Sequence, residues 1–337
     1  MHFTLNKIKF AVIGVGHIGK RHIDVIQKNN EAELCAIIDI KPKNELSIEL
    51  SGIPFFNSLT DFFNASIDVD VISVATPNHC HYEHGMQSLY NNVNVLIEKP
   101  LALTKLDAEK LISKAGEVDR EIFTVKQLRY SPVVKWLKTT IDNNLLGKIY
   151  LVQLNCFWNR DERYYTPNNW HGKKNTDGGT LFTQFSHYID MLNWIFGDIS
   201  NIQSKFLNLN HKNFIEFEDT GFITFDIVKG GTGCFNFTTS VLEKNLESSI
   251  TIIAEKGTIK IGGQYLNTLA YCDVKDYSLS EEDIYSFNQP FNINSYHTYL
   301  IQNVIDILKK KPGSKNNPSE DIKVIDIIER MYGSKNI

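Results

Sequence analysis

Apolar residues in the first third of the chain come in short unbroken runs separated by helical spacing. Phe10-Ala11-Val12-Ile13 is one such run; a helical pattern follows it, and a second run, Leu34 to Ile38, ends on Asp39. Val69 to Ala75 and Val93 to Ile97 repeat the theme, with helices expected over 81–90 and 105–115 and a further strand over 122–127. Runs that are apolar at nearly every position suit strands buried on both faces of a parallel sheet. Asn91 and Asn92 suit the turn after the helix at 81–90, because asparagine accepts the left-handed conformation usually given to glycine.

After Gln127 the pattern changes. Ser131-Pro132 reads as a cap followed by proline in a first helical turn, for a helix to about Asn143. Residues 148–158 read as a long strand, 159–176 as a polar and aromatic loop, and 179–196 as one helix stopped by Gly197. Strands then dominate, at 199–209, 220–228, 232–241, 249–254 and 258–261, with a weaker one near Leu269. Gly230-Gly231 and Lys256-Gly257 are hairpin turn signals. Helices over 294–311 and 319–332 close the chain.

Between the first strand and first helix lies Gly14-Val15-Gly16-His17-Ile18-Gly19, and Asp39 follows the third glycine by about twenty residues, the layout of a dinucleotide site. Gly14 permits the tight turn, Gly16 lets the backbone approach a pyrophosphate, and Gly19 lets helix and strand lie close. The helix N-terminus offers unpaired N–H groups and a positive dipole end to phosphates. A carboxylate at Asp39 can accept both ribose hydroxyls and would repel a 2′-phosphate, so the cofactor expected is NAD rather than NADP. Ligands in such sheets bind outside the carboxyl ends of the strands. That puts Ala75, Thr76, Asn78, His81, Glu98 and Lys99 among the expected cofactor contacts with His17 and Ile18, joined by Gln127 and Trp170 from later in the chain.

The fold class expected is therefore α/β: an N-terminal Rossmann domain, 1–126, and a C-terminal α+β domain, 127–337, with a large, mostly antiparallel open sheet. The last helix is free to pack back on the first domain. Strands apolar on both faces, at Phe222 to Val228 and Cys234 to Phe237, imply that one face meets a second subunit, in a homodimer or homotetramer.

With 337 residues and a net charge of −4, the chain has no long basic block, which argues against nucleic acid and anionic membrane as partners. Its five cysteines are scattered without a CxxC pair and read as reduced thiols of a cytoplasmic protein, with no signal peptide expected before the first strand. The cluster His79, His81 and His84 invites a metal, but no carboxylate completes a set at zinc-like spacing, so none is expected.

Lys99 follows a strand end at the mouth of the cofactor crevice, where partial desolvation beside a cationic nicotinamide would let it act as a base. His187 and Asp190 are three apart on the expected helix, so Asp190 can orient the ring, and Asp177-Gly178-Gly179 is expected to give a flexible, open approach. The loop with Arg160, Arg163, Trp170, Lys173 and Lys174 suits an anionic, ring-shaped ligand.

GVGHIGKRH (Gly14 to His22), ATPNHCHYEH (Ala75 to His84) and VLIEKP (Val95 to Pro100) resemble the Gfo/Idh/MocA oxidoreductases over nearly the whole chain. The resemblance implies that Lys99 lies beside the nicotinamide and the substrate hydroxyl, with His187 as its catalytic partner from the other domain. Many members carry Asp where this chain has Thr183. QLRYSP (Gln127 to Pro132), CFWNRDERYYTPNNWHG (Cys156 to Gly172) and DGGTLFTQFSHYIDML (Asp177 to Leu192) look like the WlbA-type branch. That branch oxidises the 3-hydroxyl of UDP-N-acetylglucosaminuronic acid with NAD in surface-polysaccharide synthesis. The resemblance thus implies a UDP-sugar acid as substrate, with Lys99 and His187 at its reacting hydroxyl; Arg160, Trp170 and Gln184 are expected to contact the substrate or the nicotinamide. Either Lys99 or His187 would be the base. Other readings are another sugar or inositol dehydrogenase or ketosugar reductase of the family, and a non-catalytic nucleotide-binding regulator.

Overall fold

The structure is a computed structural model that describes residues 7–48, 52–166, 170–289 and 293–334. The chain divides into two compact units. One takes the chain as far as Val125 together with Asn294–Ile322; the other takes Lys126–Ile293 and the chain from Lys323 onward.

The first unit alternates β1 (Ile8–Ile13), α1 (His17–Lys28), β2 (Ala32–Ile38), β3 (Phe55–Phe56), α2 (Leu59–Asn64), β4 (Val71–Val74), α3 (His81–Tyr90), β5 (Asn94–Ile97), α4 (Lys105–Glu117) and β6 (Ile122–Thr124). Among the described residues its six strands form one parallel sheet in the order β3-β2-β1-β4-β5-β6. All of β4 is buried, as strands covered on both faces require. Strand order reverses between β1 and β4, which sets their following loops side by side and opens a ligand position there. Ser58 and Thr104 cap α2 and α4, accepting from the amides of Asp61 and Asp107. Asn92 takes the left-handed turn after α3, with φ +58°.

The second unit runs through α5 (Pro132–Asp142), β7 (Ile149–Phe157), the short helices α6 (Glu162–Tyr165), α7 (Lys174–Asp177) and α8 (Thr180–Thr183), then α9 (Ser186–Phe196). It continues with β8 (Ile199–Leu207), β9 (Thr220–Ile227), β10 (Thr232–Thr238), β11 (Glu247–Ala254), β12 (Gly257–Gly262), β13 (Thr268–Val274) and α10 (Glu281–Phe287). α11 (Ile293–Leu308) and α12 (Ser319–Gly333) follow; α11 from Asn294 on and α12 as far as Ile322 belong to the first unit, and the rest of α12 to the second. Among the described residues its seven strands lie in the order β13-β12-β11-β7-β10-β9-β8, antiparallel except where β7 meets β10.

Register aligns the core of this unit. Ile223, Phe235, Leu154, Ile250 and Ile261 stand in one row across the sheet, all buried, and Phe185 meets Phe235 edge to face and Phe237 at a tilt. The opposite face is mixed: Phe222, Ile253 and Tyr271 are exposed beside Thr224 and Lys260. So β9 is apolar on both faces only near Phe222.

Two local readings are corrected. The expected helix over 179–196 breaks at Gln184-Phe185 into α8 and α9. Ser131 stands at the N-cap of α5 with Pro132 in the first turn, as expected, but its hydroxyl donates to the Leu266 carbonyl at 2.9 Å instead of capping the helix. Among the described residues, no helix is long and apolar enough to cross a membrane.

Candidate active site

At the end of β1 the chain must turn sharply past β4 to enter α1. A Cβ on Gly14, whose φ is +89°, would lie 2.6 Å from the Ala75 carbonyl oxygen, and one on Gly19 would lie 1.8 Å from that of Gly14. Neither position tolerates a side chain. At Gly16 a Cβ would meet nothing within 4 Å, so the backbone before α1 borders open space. α1 has no side-chain cap and no acid in its first turn, so its leading N–H groups are left for an anion. His17 and Ile18 form that turn, exposed and half-buried. Asp39 is pinned beside it, accepting from Val15 N at 2.7 Å and Lys41 N at 2.8 Å. Open glycine, uncapped helix and fixed carboxylate fit a dinucleotide, with phosphates on α1 and a ribose on Asp39.

The loops after β4 and β5 complete this cradle. Ala75 and Asn78 are buried, and the Thr76 hydroxyl lies 3.0 Å from His84 Nδ1. His81, expected to touch the cofactor, is fully buried, with Nδ1 2.7 Å from the Pro100 carbonyl and Nε2 2.9 Å from that of Thr76. Burial lowers its pKa, against those two carbonyl contacts. It therefore braces one loop against the other rather than presenting a nitrogen to a ligand. Glu98, also expected at the cofactor, turns inward: its carboxylate lies 3.0 Å from His22 Nε2 and accepts from Lys99 N at 3.2 Å. Lys99 itself is half-buried. Among the described residues, the set with metal-ligand composition and spacing is His22, Glu98 and His297, not the histidines at 79, 81 and 84.

In the second unit, His187 stands in the first turn of α9, half-buried, with Nε2 3.0 Å from Gln127 Nε2. Asp190 is buried one turn on, but its carboxylate pairs with Arg129, accepting from Nε at 2.9 Å and from Nη2. Burial would raise its pKa; the Arg129 charge and hydrogen bonds outweigh this and hold it below the usual carboxylate value. Asp190, expected to orient the His187 ring, is anchored on Arg129, which lies on the same short turn as Gln127.

Arg160 and Gln184 are brought together. Arg160 donates to Gln184 Oε1 at 2.7 Å, and Gln184 donates to Tyr164 Oη at 2.7 Å. The Arg160 guanidinium lies 4.7 Å from the Trp158 ring centre and 5.1 Å from that of Tyr164. This meeting of Gln184 with Arg160 coincides with the break between α8 and α9. Trp170 stacks on His171, their ring centres 3.7 Å apart. Arg163 is exposed and pairs with Asp161 inside the loop, and Lys173 and Lys174 are exposed; positions 167–169 lie outside the described residues. The approach expected to be flexible at Asp177-Gly178-Gly179 is locked. Asp177 is buried, accepts from Gly172 N at 2.7 Å and bonds the Thr183 hydroxyl. A Cβ on Gly179 would lie 2.3 Å from Tyr332 Oη.

Sequence reasoning passed over His22, Arg129 and Tyr164. His22 and Arg129 lie inside quoted motifs, but their partners are 76 and 61 residues away.

Two family models match the chain: an oxidoreductase family with an NAD-binding Rossmann fold on residues 8–126, and the GFO/IDH/MocA C-terminal domain on residues 134–260. Among solved structures, the WlbA dehydrogenase of Bordetella pertussis in complex with NADH and UDP-GlcNAcA is 30% identical, with a TM-score of 0.91, over 98% of this chain and 95% of that one. The WlbA dehydrogenase of Chromobacterium violaceum, bound to the same two ligands, is 31% identical with a TM-score of 0.90, over 98% and 94%. The glucose-6-phosphate 3-dehydrogenase of Bacillus subtilis is 30% identical over 56% of this chain and 53% of that protein. With both family domains matched in order and a glycine cradle shaped for the dinucleotide, the chain belongs to the Gfo/Idh/MocA family of NAD-binding oxidoreductases.

Proposed function

We propose that the protein oxidises a sugar ring hydroxyl to a ketone with NAD, the substrate being UDP-N-acetylglucosaminuronic acid and the carbon C3. What carries this reading is the match along almost the whole chain to two dehydrogenases bound to NADH and UDP-GlcNAcA.

NAD, when bound, takes up the hydride. As the hydride leaves carbon, the hydroxyl must lose its proton. Lys99 and His187 serve this step: one receives the proton, and the other hydrogen-bonds the oxygen so that charge does not build up on it. Asp190 acts at one remove, because with Arg129 it anchors the turn that sets Gln127 against His187. Arg160, backed by two aromatic rings and tied to Gln184, offers a fixed positive charge to an anionic sugar nucleotide. Trp170, stacked with His171, offers a flat surface to a ring.

The reaction sits in the cytoplasm, in the making of an amino-sugar acid for surface polysaccharide, and the working form is a homodimer or homotetramer joined through the sheet face that carries Phe222, Ile253 and Tyr271. The test is NADH formation with UDP-N-acetylglucosaminuronic acid against a panel of glucose 6-phosphate, free hexoses and inositols. Turnover of the uridine nucleotide alone supports the reading; turnover of nucleotide-free sugars alone refutes it. A second reading, oxidation of a hexose phosphate, rests on the likeness to glucose-6-phosphate 3-dehydrogenase and is scored by the same panel. A regulator would bind NAD(H) and turn over nothing.

A further inference from the structure

We propose that His22 is a positioning residue: by holding the carboxylate of Glu98 it fixes the backbone and the charge surroundings of Lys99. The inference rests on the proposed part of Lys99 in proton transfer.

His22 lies in α1, the helix that presents its N-terminus to the dinucleotide, on the face that packs against the sheet. It is 1% exposed. An imidazole in such a place is costly unless its nitrogens find partners. Both do: Nδ1 lies 2.7 Å from the Ser73 hydroxyl in β4, and Nε2 lies 3.0 Å from Glu98 Oε1 after β5. One side chain thus ties the phosphate-facing helix to two neighbouring strands.

Glu98 passes the constraint on. Its other oxygen accepts the Lys99 amide at 3.2 Å, and its own amide donates to the Val74 carbonyl at 2.9 Å. Beyond Lys99, the Pro100 carbonyl is held by His81. The backbone is therefore fixed on both sides of a lysine that is itself only half-buried.

The titratable groups around Glu98 are His22 from α1, His297 from α11, and Lys99 beside it, with His81 from α3 also within its field. The His297 ring centre is 5.9 Å from that of His22. Burial would push Glu98 up; the His22 bond and the nearby positive groups outweigh it and hold the acid at about 2. Glu98 is thus an anion beside Lys99 across the working pH range. A buried pair of this kind contributes little net stability compared with apolar packing, which makes a role in positioning the stronger reason for its presence. The direct His22–Glu98 bond satisfies both groups without a metal ion.

The test uses the full-length protein with NAD bound. In His22→Asn the amide reaches where Nδ1 stands, keeping Ser73 and losing Glu98; in His22→Gln it reaches where Nε2 stands and keeps Glu98. Lys99 is read by acetylation with acetic anhydride across pH, followed on its own peptide by mass spectrometry. In Glu98→Gln the loss of a negative neighbour moves the Lys99 curve to lower pH, and the rate below the midpoint rises about 10-fold. His22→Asn moves the curve in the same direction, and His22→Gln restores it. With UDP-N-acetylglucosaminuronic acid, kcat falls about 10- to 100-fold in His22→Asn while the KM for NAD is kept, and it recovers in His22→Gln.

An unchanged Lys99 curve in both His22→Asn and Glu98→Gln overturns the inference, and so does a His22→Gln protein that behaves no better than His22→Asn. Acetylation needs no substrate, so a wrong substrate assignment leaves this comparison standing. Lys99→Met with the parent's kcat on a turned-over substrate refutes the role of Lys99 and the inference with it. NAD titration shows that each variant is folded; should His22→Asn fail to fold, Glu98→Gln and His22→Gln make the same comparison. A stoichiometric metal ion whose removal by EDTA moves the Lys99 curve also overturns it, since the three groups would then be a ligand set.

Discussion

Glu218 carries a sharp prediction about pH. Its carboxyl is buried, accepting from the Thr180 amide at 3.0 Å and from Tyr332 Oη at 2.6 Å. Burial outweighs these bonds and pushes its pKa up from 4.5 to about 7. A gap of about 2.5 pH units at about 1.4 kcal/mol each comes to roughly 3 to 4 kcal/mol. The sign follows from proton counting. Between pH 4.5 and about 7 the folded chain keeps a proton that the unfolded chain has released, so stability falls as pH rises through this window. Glu218→Gln is neutral at every pH and keeps an acceptor for Thr180 and Tyr332. Its stability relative to the parent is therefore expected to rise from about zero near pH 4.5 towards roughly 3 to 4 kcal/mol above pH 7. Urea unfolding of both proteins across this range gives the difference directly, and other acids cancel from it. A difference that does not change with pH refutes the reasoning, because Glu218 would then titrate alike in the folded and unfolded chains.

Three further perturbations follow from the geometry. Gly19→Ala places a methyl 1.8 Å from the Gly14 carbonyl oxygen, so NAD affinity measured by fluorescence titration falls more than about 10-fold; an unchanged Kd contradicts the cradle. Arg160→Lys loses the planar stacking on Trp158 and Tyr164 and the directed bond to Gln184, so the substrate KM rises about 10-fold while the NAD KM holds. Light scattering is expected to show a dimer or tetramer, and a charged substitution at Phe222, on the exposed sheet face, shifts it towards monomer; a monomeric parent removes the oligomer proposal.

Local signals carried much of the fold. Unbroken apolar runs marked β1, β2, β4 and β5, because strands covered on both faces have no polar side to show. Gly230 and Gly231, at φ +111° and +93°, turn the hairpin between β9 and β10 as their pairing suggested. What stayed hidden depends on distant partners. The apolar spacing from Phe182 to Leu192 continues through Gln184-Phe185 although the helix breaks there, where Gln184 meets Arg160 and Tyr164, which lie 24 and 20 residues earlier. Arg129 competes for Asp190 from 61 residues away, so a three-residue spacing to His187 could not reveal which group the carboxylate would choose. His81 and Glu98 were placed near the cofactor by their strand ends, but burial and hydrogen-bond partners, not chain position, decide which way a side chain turns.

The central claim is that the hydride removed by this protein comes from C3 of a UDP-linked uronic acid. Incubation with NAD and UDP-N-acetylglucosaminuronic acid deuterated only at C3, with mass spectrometry of the nicotinamide product, reads the transferred atom itself. The account predicts deuterium in the NADH formed and slower turnover than with unlabelled substrate. NADH free of deuterium, or no NADH from this substrate while another sugar is oxidised, would contradict it.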